Sequence, residues 1–180
     1  MKYTKLTIIK YERVMKKVVL LMAALMTVTF SAQAQKKSKE AKAAEKARKE
    51  MVTAELIERT VPNKNFQFVP YEYIQTNTGT TTITRYEYTK IRPNSMEVYM
   101  TNCPGVMTNR YEWLSCEKKK DIYLVKIKAV ADNGSNLSFD FAINSKTGLA
   151  TLRVRSNKSL DQNNPGGANS ITYKGNIREY

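Results

Sequence analysis

Leu137-Ser138-Phe139-Asp140-Phe141-Ala142-Ile143-Asn144 places a large apolar side chain at every second position, with small or polar residues between. A period of two is that of a β-strand with one face on a core and the other in water. Ile122 to Val130 precedes it as a second strand, and Asp132-Asn133-Gly134 between them supplies residues that tolerate the positive φ of a tight hairpin. Lys146-Thr147-Gly148 then turns the chain into Leu149-Ala150-Thr151-Leu152-Arg153-Val154-Arg155, a third alternating run. Three consecutive strands joined by short turns make an antiparallel meander.

Flanking segments extend the pattern. Phe66-Gln67-Phe68-Val69 reads as a short strand with Pro70 at its limit or at a sheet edge. Tyr71 to Ile74 resumes it, Thr80 to Ile91 forms a strand rich in threonine and tyrosine, and Arg92-Pro93-Asn94-Ser95 is a turn. Met96 to Met100, Arg110 to Cys116 and Ser170 to Lys174 bring the total to about eight strands, with turn signals roughly every ten residues. The predicted fold is mostly β, an antiparallel sandwich or barrel over residues 63–180.

An α-helix precedes it. Residues 35–62 are rich in Ala, Lys, Glu and Arg, all good helix formers, and Pro62 ends the run. Apolar content rises from Met51, so Met51, Val52, Leu56 and Ile57 are expected to dock on the sheet. Residues 36–50 carry seven basic and three acidic side chains without interleaved aromatics, the composition of a solvated lead-in rather than a nucleic-acid surface.

Residues 1–34 read as an export signal. Met15-Lys16-Lys17 is followed by thirteen residues, Val18 to Phe30, that are apolar but for two threonines, and Ala32-Gln33-Ala34 is a small-x-small cleavage site before Gln35. Thirteen residues are too few to span a bilayer, so no transmembrane anchor is expected in the mature chain. Because Met15-Lys16-Lys17 is a complete signal start, Met15 is a candidate initiator. The expected location is the periplasm or cell envelope. The formal charge of +14 shrinks to +9 without residues 1–34, which hold six basic residues and one acidic one.

Histidine is absent from the chain, which removes His-based general bases and the commonest transition-metal ligand. Cys103 and Cys116 are too few for a structural zinc site. In an exported chain their spacing suggests a disulfide worth roughly 3 kcal/mol, the alternative being two buried free thiols. Of the aspartates, Asp132 and Asp161 belong to turns and Asp140 to the outward face of a strand, so no acid pair suggests hydrolysis. No catalytic residue, metal or cofactor is predicted.

Tyr71, Tyr73, Tyr86, Tyr88, Tyr99, Tyr111 and Trp113 are candidates for a groove that stacks on sugars or apolar ligands. Strands favour tyrosine in any case, as cross-strand pairs with one wet end.

The order of these parts also carries a resemblance. A signal peptide, an Ala/Lys/Glu helix, Asn65-Phe66-Gln67-Phe68-Val69 and the closing Ser170-Ile171-Thr172-Tyr173-Lys174-Gly175-Asn176-Ile177 follow one another. Over about residues 50–180 this resembles domain-of-unknown-function family 4251, secreted proteins of Bacteroidetes. The family's strand ending in leucine-proline-tyrosine-phenylalanine-glycine is replaced here by Val98-Tyr99-Met100-Thr101-Asn102-Cys103-Pro104-Gly105. The resemblance implies a β-rich domain of the envelope or periplasm and transfers no activity. The reading is an exported, non-enzymatic β domain with a structural or interaction role, its partner an envelope protein. The alternative is a binder or carrier of a small apolar ligand or glycan through an aromatic-lined barrel mouth or groove.

Overall fold

The computed structural model describes residues 40–75, 79–160 and 168–179. The signal segment with Ala32, Ala34 and Gln35 lies outside them, as does the loop 161–167. The chain divides into two compact units, Met1–Arg48 and Lys49–Tyr180. Residues 40–60 are helical (α1), and of the first unit only its helical residues 40–48 are described. Among the described residues no helix is long and apolar enough to cross a membrane.

The second unit is an antiparallel sheet of ten strands: β1 Phe66–Gln75, β2 Gly79–Thr82, β3 Tyr88–Arg92, β4 Ser95–Tyr99, β5 Val106–Thr108, β6 Tyr111–Lys119, β7 Ile122–Val130, β8 Asn136–Asn144, β9 Leu149–Ser156 and β10 Ser170–Arg178. Their order is β5-β4-β3-β1-β10-β9-β8-β7-β6, with β2 paired to β1 beside that path. The two ends curl towards each other into a nearly closed barrel. The Asp132 N–H donates to the Gly105 carbonyl at 3.0 Å, and the Tyr111 hydroxyl on β6 donates to the Arg92 carbonyl on β3 at 2.6 Å.

The predicted meander is β7, β8 and β9, in unbroken register from Ile122↔Asn144 to Val130↔Asn136 and from Leu137↔Ser156 to Ile143↔Ala150. Its inward positions fill the barrel: Val125 and Ile127 from β7, Phe139, Phe141 and Ile143 from β8, Leu152 and Val154 from β9. Phe66 and Phe68 of β1 meet the Phe141 ring edge-on, with centroids 5.7 and 5.8 Å apart.

The described residues hold ten strands where about eight are expected, because the stretch Thr80 to Ile91 divides in two and Val106–Thr108 adds a short strand. Two expectations are corrected. The stretch Thr80 to Ile91 is not one strand, since β2 and β3 take successive stretches of one edge of β1. Between them Glu87 turns inward, where its carboxylate accepts the Thr101 N–H at 2.8 Å and the Thr101 hydroxyl. Pro70 is not a strand end, since β1 runs through it to Gln75, but it does take an edge position. β3 pairs with β1 at Phe66–Phe68 and β2 at Glu72–Gln75, so Pro70 is paired only on its β10 side, next to a bulge between Pro70 and Glu72. Opposite Pro70 sits Gly175, where a Cβ would lie 2.3 Å from the Val69 carbonyl oxygen and 2.7 Å from the Phe68 ring.

The helical face also differs. Met51 and Val52 are exposed, while Ile57, Thr60 and Val61 are buried. An inward Ile57 carries residues three and four positions on to the same face and leaves Met51 and Val52 on the other. Burying Ile57 contributes roughly 1.5–3 kcal/mol. Glu58 accepts from Lys118 and from the Tyr123 hydroxyl, the latter at 2.6 Å, and Arg59 reaches Glu179 at 2.6 Å. These contacts gather where β7 begins and β10 ends, so residues 57–61 close that end of the barrel.

Candidate functional site

The tyrosines do not form one groove. Tyr88 and Tyr99 are paired across β3 and β4, and Tyr86 leans on Tyr88; centroid spacings are 6.0 and 5.7 Å. Tyr86 is 61% exposed and Tyr99 58%, and Lys90 lies 4.5 Å from the Tyr88 ring centre. This three-ring ladder stands on the outer face of the barrel. Its planes are tilted by 42° and 36°, so it offers a ridged surface rather than a flat platform. The ladder is anchored from below: the amide of Gln67, only 4% exposed, donates to the Tyr86 hydroxyl at 2.6 Å. Arg92 and Lys90 flank it, both facing Glu97, at 2.5 and 3.9 Å.

The other candidates have separate work. Tyr73 packs on Tyr173 with centroids 6.1 Å apart. Tyr111 ties β6 to the turn after β3 through its hydroxyl, and Trp113 lies under the Lys64 ammonium at 5.4 Å. Tyr71 stands exposed on β1.

Cys103 and Cys116 are free thiols, not the expected disulfide. The reason is topological. β5, just after Cys103, approaches the sheet near Asp132, whereas Cys116 pairs with Val125 five residues along β6 from Tyr111. Asp132 lies seven residues beyond Val125 in the chain, so the two cysteines sit at different levels of the sheet. Burial pushes the Cys103 thiol up to about 12 and also raises that of Cys116. Tyr123 is likewise pushed up to about 12, by burial first and then by its bond to Glu58.

A prediction follows for alkali. Both Cys103 and Tyr123 are acids held neutral by the fold, so the folded state keeps protons that the unfolded chain releases from about pH 9 upward. Their contribution to stability is complete below pH 9 and is lost as pH rises towards 12. At pH 8 without denaturant, iodoacetamide is expected to modify Cys116 at least about tenfold faster than Cys103, and denaturant to equalise them. Peptide mapping of the alkylated protein checks this; equal native rates would show that Cys103 is not buried as described.

A second feature was not visible in the sequence. At the end of the barrel away from residues 57–61, a groove of about 1080 Å³ crosses the start of β6, the end of β7, the start of β8 and the end of β9. Glu112, Lys128, Ser138 and Arg155 stand in one row across these four strands by register. Arg110 and Asn136 complete the polar lining, and Val130 adds an exposed apolar side chain. Arg155 pairs with Asp140, while among the described residues Arg110 and Lys128 have no ion pair. The only signal in the sequence was the cations at outward strand positions, and only register brings them together. Among the described residues no cluster of three or more His, Cys, Asp or Glu is placed to hold a metal.

No family model and no curated protein matches the chain. Among solved structures it is similar to the crystal structure of a DUF4251 family protein from Bacteroides eggerthii. The TM-score is 0.55 at 12% sequence identity, over 71% of this chain and 88% of the other. The chain therefore has a DUF4251-like fold, the β-rich domain that its closing Ser-Ile-x-Tyr-x-Gly-x-Ile pattern implied.

Proposed function

We propose that this chain is an exported β domain of the cell envelope that works by contact at its surface rather than by catalysis. One observation carries the choice of surface over interior. The inward side chains Phe66, Phe68, Phe139, Phe141, Tyr173 and Ile57 are all fully buried, so the barrel is packed through its middle instead of enclosing a ligand. The export pattern of residues 15–34 supports the location. Buried polar groups support a scaffold: the Glu87 carboxylate holds Thr101, and the Tyr173 hydroxyl donates to the Thr101 carbonyl at 2.6 Å.

The exposed ladder of Tyr86, Tyr88 and Tyr99 favours a second reading, in which the outer face stacks on a glycan or an apolar ligand. Native mass spectrometry of protein taken from the envelope of its own cell, without reductant, separates the two. The expected result is a chain beginning near Gln35, with two unpaired cysteines and no adduct. A reproducible non-covalent adduct that Tyr99→Ala abolishes would move the ligand reading to first place. An N-terminus at residue 1 or 15 would overturn export.

A further inference from the structure

The groove over the ends of β6 to β9 has the lining of a ligand site, and nothing described so far uses it. Lys128 and Arg155 stand two strands apart in one cross-strand row, roughly 10 Å, with the Ser138 hydroxyl between them. Arg110 adds a third cation from the turn before β6. Against these stand Glu112, opposite Lys128, and Asp140, already engaged by Arg155. The side chains of Arg110, Lys128, Asn136 and Ser138 have no partner among the described residues, so donors and acceptors of both kinds are left for a ligand. Asn157, in contrast, is partly committed, its side-chain oxygen accepting the Asn136 N–H at 2.9 Å.

We propose that this groove binds an acidic saccharide, a short run of sugar rings carrying carboxylates. Cations spaced by about two strands match carboxylates on separate rings of an oligomer, and the amide and hydroxyl between them match ring hydroxyls. The volume is that of a site for a ligand of several rings. An acidic peptide fits less well. An extended peptide gains affinity chiefly by lying along a strand edge, whereas Lys128, Ser138 and Arg155 form a row that runs across the strands. The site is separate from the tyrosine ladder and does not depend on it.

Titration of the purified protein with tetragalacturonate at low ionic strength, followed by calorimetry, tests the proposal. Binding is expected to be saturable and to weaken about tenfold or more in Lys128→Glu and in Arg110→Glu. It should also weaken as salt is raised and be absent for the methyl-esterified oligomer. Lys128 is exposed, so these variants should melt as the parent does; Lys128→Ala replaces the charge reversal if Lys128→Glu does not fold. Failure to bind tetragalacturonate, or binding indifferent to both substitutions, would overturn the site. Equal affinity for tetraglutamate, lost in the same variants, would assign the groove to acidic peptides and overturn the saccharide.

Discussion

Gly175→Ala is expected to lower the stability of the domain by about 3 kcal/mol, the upper end of what overpacking usually does. Three groups crowd the added methyl: the Val69 carbonyl oxygen at 2.3 Å, the Phe68 ring at 2.7 Å and the Pro70 Cα at 2.8 Å. Two of the three are backbone, in the stretch of β1 that leads into the bulge after Pro70, so the neighbours have little room to yield. In a unit of this size the loss lowers Tm by about 10 °C. Gly134→Ala is the control, because no atom lies within 4 Å of its Cβ position and only its φ of 76° is strained. It should cost about 1 kcal/mol. Thermal unfolding by circular dichroism compares them, and a Gly175→Ala loss no greater than that of Gly134→Ala would refute the close approach of β1 and β10.

Phe141→Ala should destabilise by about 3–5 kcal/mol. The ring sits in the meander and receives Phe66 and Phe68 edge-on, so its removal opens a cavity facing β1. Each edge contact adds about 0.5–1.5 kcal/mol to the loss of buried area. Domains of this kind are stable by only about 5–15 kcal/mol, so the variant sits near the limit of folding. Phe141→Leu keeps most of the volume and should lose less than half as much. Urea unfolding of both variants reads the difference; a Phe141→Ala midpoint within error of the parent would show that β8 and β1 do not share a core.

What was legible in the sequence was local. β7, β8 and β9 announce themselves because buried apolar residues recur at every second position, most of them with a polar or small residue between, and their turns carry Asp, Asn and Gly. Features set by distant partners were not legible. Pro70 looks like a strand end until Gly175, more than a hundred residues on, is placed opposite it. Met51 and Val52 look like a docking face until Ile57 fixes the rotation of the helix. Cys103 and Cys116 are close in sequence, but the intervening chain carries them to different levels of the sheet. The ladder was half visible: its three tyrosines stand among the seven aromatic candidates, yet only the β3–β4 pairing and the ring contacts set Tyr86, Tyr88 and Tyr99 apart. The groove was the least visible, because Lys128, Ser138 and Arg155 meet only through the register of three strands.

The sheet order has a consequence for how the domain is made. β1 takes β10 as its neighbour, with Gln67 opposite Arg178. Without β10 the sheet falls into two unjoined halves, β5-β4-β3-β1 and β9-β8-β7-β6, each with a raw edge at β1 or β9. The meander of β6 to β9 is built of near-neighbour contacts and can form early, whereas the β1–β10 seam closes a loop of about a hundred residues and should limit the folding rate. This late closure delays the finished barrel until β10 is available to join β1 to β9. The same delay makes the edges of β1 and β9 the places where a nascent molecule pairs with the wrong neighbour.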